Sequence, residues 1–286
     1  MIKIQCQDSQ KLSISWFMSL LCNYRCSYCF MKDKLDDNKT YIKDSFEYVY
    51  NFLKNQKSDI KLDILGGEPF LVKDLEYITD KLAQIKIENT IFTNGKYIRK
   101  VNDFSTILVS IHYEYLNDLY MQNILNRIKD LKNKIIFSFT YSIKTDENIL
   151  KHYIKKIKDL GYFCELNFIY HNEYFTNYNM EKIIKRLDIE EMIEPFKFKI
   201  NGKDCNYYDY LKINPKSYKN CFCFLNVFDI DYDLNVKYTC VKDILFNLKD
   251  YKGQQLEINK LICKKDMCIN TCFTETNRII LNGNKF

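Results

Sequence analysis

The feature that most limits what this chain can fold into is an alternation that runs from residue 13 to about residue 171. Strand-like runs at 13–18 (SISWFM), 60–65 (IKLDIL), ENTIFTNG, TILVSIH, KIIFSFTYS and FCELNFIY alternate with runs of helical period. In the helical runs apolar residues recur every three or four positions. Phe46, Val49, Tyr50 and Leu53 mark a helix over 44–54, and Leu75, Ile78, Leu82 and Ile85 mark one over 73–85. A further helix is expected from about 116 to 131. Another spans 148–160, with Ile149, Tyr153, Ile154, Ile157 and Leu160 on one face and Gly161 as its stop. Six β–α units in order predict an α/β fold built on a parallel sheet. With apolar helix faces on the outside, that sheet can curve into a partial (β/α)6, TIM-like barrel.

In parallel β/α folds chemistry gathers at the C-terminal ends of the strands. The distinctive residues of this chain lie at such ends: Cys22, Cys26 and Cys29 after the first strand, Gly66-Gly67-Glu68-Pro69 after the second, Thr93-Asn94-Gly95 after the third and His112 after the fourth. After about residue 175 the pattern changes. A helix-like stretch (179–194) leads into FKFKINGK, and then cysteines return. The 286 residues, 47% of them apolar with only 3 Pro and 7 Gly, suit one barrel-sized domain plus a small appendage.

The net charge of +6, from 43 basic and 37 acidic residues interspersed along polar faces, reads as a solvated surface and disfavours a nucleic-acid partner. No apolar run approaches the roughly 18 residues of a membrane span, and MIKIQCQDSQ has no apolar signal core. A cytoplasmic location is therefore expected. In a reducing compartment twelve cysteines read as metal ligands, not as a disulfide framework.

Cys22-x3-Cys26-x2-Cys29 offers three soft thiolates, suited to zinc or to an iron–sulfur cluster. Zinc sites usually pair C-x2-C units and use four ligands, and here no fourth Cys or His is near. A four-iron cluster on three thiolates keeps one iron open. The tricysteine run, with aromatic Tyr28 before its last cysteine, and Gly66-Gly67-Glu68-Pro69 about forty residues on, resembles the signature of the radical S-adenosylmethionine (radical SAM) enzymes. The resemblance covers residues 10–175 and implies a [4Fe-4S] cluster on Cys22, Cys26 and Cys29. The open iron of that cluster chelates the methionine end of SAM, and reductive cleavage yields a 5′-deoxyadenosyl radical that takes a hydrogen atom from substrate. A flavodoxin- or ferredoxin-type protein would supply the electron. The cofactor carries the chemistry, and the protein positions it.

Gly66 and Gly67 lack Cβ, so backbone carbonyls could approach the methionine ammonium, with the charge of Glu68 nearby. Asn94 belongs to a strand end that in the resembled family lies near SAM. A plain turn is the other reading of both stretches. His112 would point at the barrel mouth and could bond substrate or SAM, or be a satisfied structural histidine. Tyr28, Ser138 and Thr140 are further candidates for cofactor contact. His152 is expected on the surface, His171 has no assigned role, and Cys6 and Cys164 read as small apolar residues.

The C-terminal set Cys221, Cys223, Cys240, Cys263, Cys268 and Cys272 resembles the auxiliary-cluster extension called SPASM or, in shorter form, twitch. Asn235, five residues before Cys240, stands where that pattern has a glycine in a left-handed turn. Several cysteines of the full pattern are shifted, so one auxiliary [4Fe-4S] cluster is expected, not two. A structural zinc site is the alternative. The division is then a core at 10–175, a connecting segment at 176–204 and a cluster-binding lobe at 205–286. With the first strand at residue 13, an N-terminal peptide-recognition domain is not expected in this chain. The substrate is left as a peptide or a small metabolite. The rival class is a non-catalytic iron–sulfur or zinc protein on the same fold.

Overall fold

The computed structural model describes residues 4–6, 11–38, 43–168, 180–188, 198–200, 203–205, 221–225, 227–238, 244–256, 259–263 and 278–281. In chain order these form β1 (Ile4–Cys6), β2 (Leu12–Phe17), α1 (Lys43–Lys54), β3 (Ile60–Leu65), α2 (Leu75–Gln84), β4 (Glu88–Thr93) and β5 (Thr106–Ile111). There follow α3 (Asp118–Ile128), β6 (Ile135–Tyr141), α4 (Glu147–Asp159), β7 (Phe163–Phe168) and α5 (Met180–Leu187). The remaining strands are β8 (Phe198–Ile200), β9 (Lys203–Cys205), β10 (Cys221–Leu225), β11 (Val227–Ile230), β12 (Asn235–Tyr238), β13 (Ile244–Asn247), β14 (Asn259–Cys263) and β15 (Arg278–Leu281).

Strands β2 to β7 lie side by side in sequence order, each parallel to the next. This is the open, partial barrel that the alternation predicts. The sheet runs on past both ends. On one side β11 adds to β2 in parallel, with Val227 opposite Ser13 and Ile230 opposite Trp16, and β12 and β13 follow antiparallel. On the other, β15 closes against β7 antiparallel. The C-terminal part of the chain therefore contributes four of the ten strands.

Residue alternation within each strand sets the layers. In β2, Leu12, Ile14 and Trp16 are buried against the helices, whereas Ser13, Ser15 and Phe17 are half-buried on the inner face. Trp16 stacks on Phe46 of α1 at 6.0 Å, a contact that adds about 0.5–1.5 kcal/mol to what burial alone supplies. On α2, Leu75, Ile78 and Leu82 are buried as the period predicts. On α4 the buried face is Leu150, Tyr153, Ile154 and Ile157, while Ile149 and Leu160 stand outside, so this face is turned one position from the expected one. Asp146 caps α4 by accepting the Asn148 and Ile149 amides, and Gly161 ends it at φ 82°.

Two further details concern the connections between strands. The crossover from β4 to β5 contains no helix. Its irregular chain is held instead by buried Ile98 and Val101 and by Arg99, which donates to the Phe70 and Val72 carbonyls. Asn235 is not the left-handed residue of the β11–β12 hairpin. Leu234 takes φ 69°, and Asn235 begins β12 with its amide on the Asp231 carboxylate at 2.9 Å. Because Asp231 ties the turn from its side chain, the strained position falls one residue earlier.

Candidate active site at the mouth of the barrel

The cysteine loop leaves β2 and turns across the strand ends. The end of β3 packs directly beneath its entry. The Gly67 amide donates to the Ser19 carbonyl at 2.7 Å, and the Glu68 amide to the Leu21 carbonyl at 2.8 Å. The two glycines make this approach possible. A Cβ on Gly66 would lie 2.5 Å from the Ser19 oxygen, one on Gly67 would lie 2.0 Å from the Leu21 oxygen, and Gly66 also sits at φ 138°. Their structural role is thus to let the strand end and the start of the cysteine loop share one surface.

Glu68 is 1% exposed. Its carboxylate accepts the Phe70 amide (3.0 Å), the Thr93 hydroxyl (2.7 Å) and the Asn94 amide (2.8 Å), which ties the end of β3 to the end of β4. Burial pushes its pKa up to about 7 against the pull of these donors. Pro69 opens a 3-10 turn, Pro69–Leu71. Asn94 is buried; its side-chain amide donates to Asn23 Oδ1 at 2.9 Å, and its carbonyl accepts the Tyr120 hydroxyl at 2.5 Å.

Cys26 is buried, and Cys22 and Cys29 are half-buried; all three are free thiols. Burial raises each thiol pKa, that of Cys26 to about 12, with the Glu114 carboxylate adding to the rise. The Tyr24 amide donates to Cys22 Sγ at 3.4 Å, and the Cys29 amide to the Cys26 carbonyl at 3.1 Å. Among the described residues no three His, Cys, Asp or Glu side chains converge as the ligands of one metal ion do. The thiols are distributed along the loop.

His112, half-buried at the end of β5, faces Tyr28 with its Nδ1 2.5 Å from the Tyr28 hydroxyl. Burial lowers the His112 pKa to about 4, so the ring is neutral near pH 7. Burial raises the Tyr28 phenol, which keeps its proton. The neutral ring and the protonated phenol share one hydrogen bond whose donor is set by the tautomer of His112. Thr140 lies 3.4 Å from the same hydroxyl and donates to the Ile111 carbonyl at 2.9 Å. Ser138, two residues before Thr140 on β6 and buried deeper, accepts the Asn167 side-chain amide at 2.5 Å. His152 is exposed; Cys164 is 1% exposed, and burial pushes its thiol up to about 12. His171 lies outside the described residues.

Asn23, Glu114, Tyr115, Tyr120 and Asn167 join the site without having been singled out in the sequence. The dense run HYEY just after a strand is the signal that could have found two of them. In the C-terminal set, Cys221 and Cys223 lie on β10 and Cys263 on β14, with Cys221 in register opposite Cys263 and Cys223 opposite Leu261. These three positions therefore share one face of the ribbon. Cys240, Cys268 and Cys272 lie outside the described residues.

An open, mostly parallel α/β barrel thus carries three free thiols on the loop after one strand, seated on a glycine-bearing strand end. Residues 16–135 match the profile of the radical SAM superfamily. Over 118 residues it is 30% identical to GTP 3′,8-cyclase of Staphylococcus aureus strain JH9, covering 37% of this chain and 35% of the cyclase. It thus spans about a third of the curated relative. Among solved structures it is similar in fold to SuiB of Streptococcus suis bound to S-adenosylmethionine (TM-score 0.58, 13% identity, 82% of this chain and 61% of SuiB). SuiB has also been solved bound to its precursor peptide SuiA. The fold is likewise similar to that of anSMEcpe with bound AdoMet and Cp18Cys peptide (TM-score 0.54, 18% identity, 84% and 78%).

Proposed function

We propose that this protein is a radical SAM enzyme whose cluster sits on Cys22, Cys26 and Cys29. The observation that carries this reading is the seating of the three-thiol loop on Gly66-Gly67-Glu68-Pro69 by two backbone hydrogen bonds, at distances that only glycine permits. The donor set fits the group. Three thiols spread along a loop suit a cluster, which meets each thiolate at a different iron, better than a single zinc ion, whose ligands all lie about 2.3 Å from one point. Bound there, a [4Fe-4S] cluster with one open iron would hold SAM and supply the electron that cleaves it to a 5′-deoxyadenosyl radical.

The chain's own residues do the rest. The thiols, held protonated by burial, must release protons on loading. The 66–69 segment would take the methionine end of SAM, with Asn94 beside it. Tyr28, His112, Thr140 and, deeper, Ser138 line the way to the substrate, and His112 offers it a neutral imidazole. The solved relatives caught with peptides support a peptide substrate; the cyclase, which acts on a nucleotide, keeps a small metabolite open. The shared face of Cys221, Cys223 and Cys263 supports an auxiliary [4Fe-4S] cluster of SPASM or twitch type in the C-terminal part, with Cys240, Cys268 and Cys272 as further ligands. Such a cluster suits oxidative radical chemistry. A flavodoxin- or ferredoxin-type donor and a cytoplasmic location complete the reading; among the described residues no helix is long and apolar enough to cross a membrane.

One experiment tests both parts. The triple variant with Cys22, Cys26 and Cys29 each replaced by Ala is reconstituted anaerobically beside the wild type. Iron, sulfide and zinc are counted, and 5′-deoxyadenosine is measured with SAM and reductant. We expect the variant to form none and to keep about four irons, one cluster's worth. Cleavage that persists would overturn the assignment of the site. Zinc in place of iron would make the C-terminal set structural.

A further inference from the structure

Between Cys22 and Cys29 stand five residues that are not cysteine, and each is gripped from the mouth of β4 or β5. Asn94 donates to Asn23. Tyr115 stacks on Tyr24 at 3.9 Å and 13°, and its hydroxyl accepts the Arg25 amide at 3.2 Å. Glu114 accepts the Ser27 amide at 3.1 Å and the Ser27 hydroxyl at 2.5 Å. Tyr113 stacks on Tyr28 at 5.4 Å, and His112 hydrogen-bonds the Tyr28 hydroxyl. Four consecutive residues, His112 to Tyr115, thus engage the loop in reverse order, from Tyr28 back to Tyr24.

Within the loop the side chains make three bonds, the Tyr24 amide to Cys22 Sγ and the Arg25 guanidinium to the Cys22 and Tyr24 carbonyls. The loop's described main-chain bonds between residues 22 and 29 reduce to the turn from Cys26 to Cys29. A flexible loop that had to gather three thiols around a cluster would lose conformational entropy on binding, and a loop already held loses less. We propose that the His112–Tyr115 run is a clasp that holds the cysteine loop in its ligating shape before any metal arrives. Glu114 and Tyr115 are its positioning residues. The proposal rests on the cluster reading above. The clasp's contacts at Glu114 and Ser27 are exposed, so they govern the loop without carrying the fold. The Glu114 carboxylate also places a negative charge beside Cys26, which disfavours the extra electron of a reduced cluster.

The test uses the full chain with Glu114→Ala, Tyr115→Ala and the conservative Glu114→Gln. Hydrogen exchange of the metal-free protein reads the loop amides, iron uptake and release to a chelator read the site, and a thermal melt reads the fold. In Glu114→Ala we expect about tenfold faster exchange at the Ser27 amide, the size of one lost charge-assisted hydrogen bond. Iron uptake should slow several-fold, with an unchanged melting midpoint. Glu114→Gln, which keeps an acceptor but no charge, should load iron nearly as the wild type does and show a more positive cluster potential. Exchange and iron uptake equal to wild type in both Ala variants would overturn the clasp. A melting midpoint that falls in step with loading would reduce it to ordinary fold support. A wild-type loop that is protected yet takes up no iron would instead overturn the cluster reading, and with it the clasp's purpose.

Discussion

Replacing Gly67 by Ala separates two reasons for a glycine at this place. A Cβ there would lie 2.0 Å from the Leu21 carbonyl oxygen, 2.4 Å from its carbon and 3.0 Å from the Cys22 nitrogen. Ordinary contact begins near 3.4 Å, so the start of the cysteine loop must retreat by more than 1 Å. That movement breaks the hydrogen bonds from Gly67 to Ser19 and from Glu68 to Leu21. Two net backbone bonds are worth about 1–3 kcal/mol together, and the strain of an overpacked site adds about 1–3 kcal/mol. The expected loss is therefore about 2–6 kcal/mol, a large share of a typical domain's stability. Urea unfolding of the metal-free protein in reducing buffer measures it, and iron uptake of the same sample reports on the loop. Gly253→Ala is the control: a Cβ there meets nothing within 4 Å, so only the backbone strain of φ 92° is added and iron uptake is unaffected. If Gly67→Ala unfolded within about 0.5 kcal/mol of wild type, within the scatter of an ordinary surface substitution, yet lost SAM binding, the packing argument would be refuted. The glycine would then serve cofactor approach alone.

Two buried groups near the cysteine loop titrate in opposite senses. His112, at about 4 in the fold against 6.5 unfolded, binds fewer protons folded than unfolded between those values, so its contribution to stability rises with pH across that window. His112→Gln should fall progressively further behind wild type as pH rises from 4 to 6.5, by at most about 3 kcal/mol; a pH-independent difference would contradict the burial argument. Glu68, raised from 4.5 to about 7, binds more protons folded, so its contribution falls as pH rises from 4.5 to 7. Glu68→Gln leaves one of three donors facing an amide NH2, a loss of about 1–3 kcal/mol. Denaturation curves should show that penalty largest near pH 5 and shrinking toward pH 8, and a penalty that grows with pH would reverse the assigned sign.

The order of parallel strands and the placing of the motifs at their ends were legible because alternation and helical period are local. The face of α4 was less so: Ile149 and Leu150 are equally apolar, and only the packing partner decides between them. Cys22, Cys26 and Cys29 announced themselves by spacing. The residues that hold them did not, since Glu114 and Tyr115 belong to a strand end about ninety residues away, and nothing short-range marks a hydrogen bond of that span. The glycines were visible, but the atoms they make room for were not. The continuation of the sheet by β11 to β13 depends on pairing across most of the chain, which residue patterns do not encode.

That continuation has a temporal side. The outer edge of β2 waits for β11, with Ser13 paired to Val227. A ribosome adding roughly 5–20 residues per second needs about 10–40 s to reach that partner. Throughout that interval the strand that feeds the cysteine loop offers an unpaired edge to any neighbouring chain. Growth temperature and translation rate should therefore govern how much protein arrives folded as strongly as any substitution at the barrel mouth.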